Sequence, residues 1–102
     1  MTFERVAGAA DVPEGTVKVF QAGGRSIALC NLGGTLYALD NLCTHDGGPL
    51  GEGTLYDGTV ECPRHGARFD VKTGAVKALP AVRPVRTYPV KVDEDEVSVD
   101  AG

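Results

Sequence analysis

Two cysteines and two histidines carry the chemistry-bearing pattern of this 102-residue chain. Cys43 and His45 are separated by one residue, and after sixteen intervening residues Cys62 and His65 are separated by two. The chain holds three cysteines and two histidines, so both histidines and two of the three cysteines fall into these short boxes. Thiolate sulfur and imidazole nitrogen are the donors that zinc, copper and iron–sulfur centres take. Two donors on each of two loops can close around a centre from both sides. Gly47, Gly48 and Gly66 border the boxes and permit tight backbone turns with little side-chain bulk. Cys30 has no histidine beside it and lies in an alternating apolar segment, the setting of a buried, unreactive thiol.

The elements that must position these loops read as short strands separated by turns. TVKVFQ (16–21), SIALCNL (26–32) and TLYALD (35–40) are set apart by the pairs Gly23-Gly24 and Gly33-Gly34. TLYDGTVEC (54–62) predicts a hairpin turning at Asp57-Gly58. ARFDV and AVKAL flank a turn at Lys72-Thr73-Gly74. VRTYPVKV (85–92) and EVSVD (96–100) alternate about an acidic turn at Asp93 to Asp95. No window carries a helical period, and 14 glycines and 6 prolines oppose long helices. Closely spaced strands of this kind predict a single all-β domain, a small antiparallel sandwich or barrel. The first ten residues are the least informative.

Composition narrows the function classes. The 42% apolar and 24% charged content is that of a folded globular chain. A net charge of −4 with scattered Lys and Arg offers no basic face for nucleic acid. The sequence has neither a signal-like apolar run at its start nor a membrane span, and three cysteines without such a signal point to reduced thiols in a cytoplasmic setting.

The choice of metal turns on how the donors are mixed. A structural zinc module of the Cys2His2 kind pairs its cysteines in one turn and its histidines in another. Here each loop supplies one of each, which suits a two-iron cluster with the cysteines on one iron and the histidines on the other. CTHDGGPLGEG followed by CPRHGARFDVKTG resembles the signature of the Rieske [2Fe–2S] family, C-x-H and then C-x-x-H. The likeness extends over nearly the whole chain, including Phe69-Asp70, Thr73-Gly74 and the stretch LPAVRP. It implies that Cys43 and Cys62 hold an inner iron and that His45 and His65 hold an outer iron near the surface. It also implies a loop-rich cluster-binding subdomain, about 41–82, on a larger β base. Leu79-Pro80-Ala81 matches a loop that shields the cluster, and the exchange tip would comprise residues around His45, Leu50, Arg64, His65 and Pro80.

Two thiolates and two neutral imidazoles leave the oxidised centre formally uncharged, so it accepts an electron more readily than four-cysteine ferredoxins at about −400 mV. With both irons fully ligated, the resemblance implies a one-electron carrier and not an enzyme. High-potential members carry a further disulfide whose positions match Gly48 and Arg64, and hydroxyl donors toward sulfur at positions matching Ala67 and Phe69. Their absence implies a low potential, near about −150 mV rather than +300 mV. The pattern therefore resembles the ferredoxins of bacterial multicomponent oxygenases. Those are monomeric carriers reduced by a flavin-containing reductase and oxidised by a terminal oxygenase. Two alternatives remain: the small subunit of assimilatory nitrite reductase, which shares the fold though some members have lost ligands that are all present here, and a ferredoxin of another pathway such as cluster assembly. The acidic stretch Asp93 to Glu96 reads as a solvated hairpin tip.

Overall fold

SIALCNL is apolar almost without interruption, although a strand with one wet face should alternate. The computed structural model, which describes residues 3–44, 48–63, 66–79 and 83–101, shows why. This segment forms β3 (Arg25–Leu32), the inner strand between β2 (Val17–Ala22) and β4 (Thr35–Asp40), and both of its faces are covered. Ile27 and Leu29 face one core with Val97 and Val99, whereas Cys30 faces another with Leu39, Val60 and Phe69. Period-two geometry sends alternate side chains to opposite faces, so a doubly covered strand must be apolar throughout.

Three antiparallel sheets build the frame among the described residues. The middle sheet runs β2-β3-β4-β9, with β9 at Thr87–Tyr88. On one side lies β1-β11-β10, formed by Glu4–Gly8, Glu96–Val99 and Val90–Asp93. On the other lies β5-β6-β7-β8, formed by Thr54–Tyr56, Thr59–Glu61, Arg68–Asp70 and Val76–Ala78. The all-β expectation holds. No helix among the described residues is long and apolar enough to cross a membrane.

Two local features depart from the sequence expectations. Residues 85–92 do not form one strand: β9 pairs with β4, while β10 pairs with β11 in a different sheet. The break falls at Pro89, which has no N–H to give to a ladder and whose carbonyl instead accepts from Asp100 N–H at 3.1 Å. The N-terminal residues, which carried no strand signal, supply β1, paired with β11 through a bulge between Arg5 and Ala7. An ion pair between Arg5 and Glu96 accompanies that pairing.

The expected turns are present. Asp57 and Gly58 both have positive φ, 49° and 78°, as a two-residue hairpin of the favoured hand requires. Residues 93–96 are exposed at the β10–β11 tip.

Cys30 is fully buried, and burial pushes its thiol up to about 12. An unfolded chain can ionise this thiol above about pH 9, whereas the folded chain holds the proton until about pH 12. Folding is therefore favoured by the shift below pH 9 and loses that advantage as pH rises toward 12, with a limiting slope of about 1.4 kcal/mol per unit. Denaturant unfolding between about pH 9.5 and 11 should show the parent losing stability faster than Cys30→Ala. Parallel pH profiles for the two proteins would remove Cys30 from the account.

Candidate metal centre

The first box leaves the end of β4, and the second is the loop between β6 and β7. Each is turned back on itself in the same way. Cys43 N–H donates to Gly48 C=O at 2.7 Å, and Cys62 N–H donates to Ala67 C=O at 2.7 Å. In both cases a cysteine amide closes on the carbonyl five residues later, so each loop is a short closed ring beginning at its cysteine. Gly66 has φ +77°, a conformation that favours glycine, and its N–H returns to Cys62 C=O at 3.2 Å.

The hairpin β5–β6 brings the two rings together. Thr54 pairs with Glu61 across it, so the exit of the first box lies beside the entry to the second. Gly53 sits at that junction. A Cβ there would run into the Glu61 carbonyl oxygen, although its φ of −85° suits any residue. The need for glycine at 53 is therefore steric. Gly51 is held in the same manner, because a Cβ would strike Val19 Cγ2 of β2. Among the described residues between the boxes, 48–61, one helical turn (Leu50–Glu52) is followed by the junction and a two-strand return.

Cys43 and Cys62 meet in one apolar cluster with Leu50, Val60, Ala67 and Phe69, and their exposures are 0% and 1%. Cys30 belongs to the same cluster from the β3 side. His45 and His65, the other two expected ligands, lie outside the described residues, as do Arg64, Pro80 and Ala81. Among the described residues no group of three or more potential metal ligands is assembled. Leu50, expected at the exchange tip, is instead fully buried. It is the first residue of the 3-10 turn, and its side chain faces the core under the first box. The exposed apolar side chains flanking the described parts of the site are Leu42, at 44%, and Leu79, at 76%.

Further contacts tie the first box to its surroundings. Thr44 Oγ1 donates to Arg83 C=O at 2.6 Å, joining the box to the segment after residues 80–82. Tyr88 donates to Asp40 Oδ1 at 2.6 Å, which fastens β9 to the last residue of β4. Burial first, and then the Asp40 hydrogen bond and charge, raise the Tyr88 phenol above its ordinary range. Asn41 binds Gly51 and Ser26 through its side chain. None of these supporting residues was singled out by the sequence reading. The side-chain amide directly after the strand at 35–40, and the Gly51-x-Gly53 spacing, were the available signals.

Two soft sulfur donors in one dry cluster, each at the start of a closed glycine-bearing loop, fit an iron–sulfur centre. The fold, with two buried cysteines on neighbouring loops, fits the class of iron–sulfur proteins. A family model for the Rieske [2Fe–2S] domain matches residues 2–89. The chain is 41% identical over 98% of its length to the ferredoxin component of biphenyl 2,3-dioxygenase from Rhodococcus jostii (strain RHA1), covering 94% of that protein. The ferredoxin of carbazole 1,9a-dioxygenase from Nocardioides aromaticivorans IC177 superposes with a TM-score of 0.92 at 40% identity, covering 97% of each chain. A chain in a complex of reduced oxygenase and oxidized ferredoxin of carbazole 1,9a-dioxygenase superposes at 0.88 with 36% identity, over 95% of this chain and 91% of that one. The chain belongs to the Rieske [2Fe–2S] family. Its resident group is accordingly a Rieske [2Fe–2S] cluster, and it is an electron-transfer protein rather than an enzyme.

Gly53→Ala should destabilise the protein by about 1–3 kcal/mol through overpacking against Glu61, and should lower the iron content of purified protein. Gly58→Ala is the control, because its left-handed backbone is strained but nothing lies within 4 Å of the added Cβ. It should lose about 1–2 kcal/mol and keep its iron. Full iron content in Gly53→Ala would show that the junction does not align the boxes.

Proposed function

We propose that Cys43, His45, Cys62 and His65 hold one Rieske [2Fe–2S] cluster, the cysteines on one iron and the histidines on the other. The observation that carries this is the meeting of Cys43 and Cys62 in one buried cluster, on two loops of matching closure. When bound, the cluster supplies reversible one-electron chemistry. The chain's own part is to keep the sulfurs dry, to hold the two loops in register and to set how readily charge is accommodated. Ala67 and Phe69 pack against the cysteines with no hydroxyl to offer sulfur, and positions 48 and 64 hold no cysteine for a second bridge. Both features favour a potential in the low range, near about −150 mV.

The physiological role we infer is that of a monomeric cytoplasmic carrier between a flavin-containing reductase and the terminal oxygenase of an aromatic-ring dioxygenase. The names of the relatives support the oxygenase side of this reading. Residues 41–82 act as the cluster-binding subdomain on the β frame. The exchange surface lies beside the histidines and includes the exposed Leu42 and Leu79.

Purified protein should contain two irons and two sulfides per chain and show a Rieske-type visible spectrum. His45→Ala and His65→Ala should each abolish that spectrum, while Cys30→Ser should retain it with some loss of stability from its buried hydroxyl. Retention in His65→Ala together with loss in Cys30→Ser would overturn the ligand set. Voltammetry should give a one-electron wave near about −150 mV, and single electrons should pass from an aromatic-dioxygenase reductase to its oxygenase only when this protein is added. A wave near +300 mV would contradict the low-potential reading.

A further inference from the structure

The first box is closed twice. The inner closure is the bond from Cys43 N–H to Gly48 C=O. The outer one is made by a side chain: Gly51 N–H donates to Asn41 Oδ1 at 2.6 Å, so residues 41 and 51 meet at the neck of the whole loop. The other half of the same amide faces the frame, where Asn41 Nδ2 donates to Ser26 Oγ at 3.1 Å. The Asn41 backbone N–H also donates to Ser26 C=O at 3.0 Å, continuing the β3–β4 ladder one residue past Asp40. Asn41 is half-buried, and its Oδ1 lies 3.0 Å from where a Cβ on Gly51 would stand. One planar amide therefore fixes the two ends of the loop to each other and both to β3.

We propose that Asn41 is the positioning residue of the first box, setting where the Cys43–His45 loop stands relative to the second box. The proposal rests on the reading of Cys43 and His45 as ligands. The physical reason for an amide is its two-sidedness. It offers an acceptor to the neck and a donor to the frame in one rigid plane, where a hydroxyl is too short and an apolar side chain offers neither. Without it Gly51 N–H loses its acceptor, while the Cys43–Gly48 bond and the Thr44 bond to Arg83 still hold other points of the loop. The loop then samples several positions, and a centre ligated from two loops reports that spread directly.

The test uses the cluster-loaded protein and three substitutions. Asn41→Ala removes both bonds, Ser26→Ala removes only the frame bond, and Asn41→Asp keeps the acceptor for Gly51 while the Ser26 hydroxyl can donate to its carboxylate. In Asn41→Ala, amide hydrogen exchange at Gly51 should quicken about five- to tenfold, the loss of one hydrogen bond of ordinary strength. The EPR lines of the reduced protein should broaden, and chelator-driven iron release should quicken by a similar factor. Asn41→Asp should return line width and release to parental values, and Ser26→Ala should fall between. Parental EPR lines and iron release in Asn41→Ala would overturn the proposal, as would Asn41→Asp behaving no better than Asn41→Ala. Should Asn41→Ala fail to accumulate, the other two decide: a parental Asn41→Asp with a broadened Ser26→Ala supports the role, and equal broadening in both overturns it. Failure of the ligand reading is visible separately, as a Cys43→Ser protein that keeps the parental spectrum.

Discussion

The closure of each cysteine amide on a carbonyl five residues later is the interaction on which the site depends. Cys43 to Gly48 and Cys62 to Ala67 are bonds of equal length in loops that share no other sequence feature beyond a following histidine and glycines. Each of these bonds gives the buried cysteine's own amide a partner, so Cys43 and Cys62 enter a water-free core with that N–H satisfied. The core then receives two sulfurs instead of two more apolar side chains. A buried thiol packs as a small hydrophobe, as Cys30 does, and two of them on neighbouring loops are donors that the family's cluster would use.

The rest of the structure holds those two rings at one place. Val60 and Phe69 pair directly across β6 and β7 and form the floor under the cysteines, and Leu50 closes it from the first box. No Cβ fits at Gly51, against the Val19 side chain, or at Gly53 and Gly74, against the Glu61 and Val85 carbonyls. Those contacts join the box-bearing sheet to β2, to its own hairpin and to the chain that returns to β9. Because the cysteines belong to the same apolar cluster as these packing residues, a metal centre held by them would be coupled to the packing that orders the loops. A small domain gains from such a coupling, since its apolar core alone supplies limited stability.

Much of this was legible in the sequence wherever local chemistry decides structure. The paired boxes, the Asp57-Gly58 turn and the exposed acidic tip depend on residues adjacent in the chain. The unbroken run in β3 gave its strand but not its double burial, which depends on sheets assembled from distant segments. β1 was missed because its stability comes from pairing with β11, at the far end of the chain. Alternation through residues 85–92 concealed a change of sheet, since both halves keep period two and only Pro89 marks the boundary. Leu50 was read as a surface residue from its place in a glycine-rich loop, whereas the 3-10 turn points it inward. Asn41 escaped notice because a single amide after a strand has no periodicity, and its role emerges only once residues 26, 41 and 51 stand together.

The central claim is that two loops share one centre through unlike donors. Pulsed EPR on the reduced protein, prepared with and without nitrogen-15 in its histidines, addresses it most directly. The account predicts couplings from two histidine nitrogens, both changed by the isotope. A reduced cluster with no histidine nitrogen coupled to it, or with only one, would contradict the account.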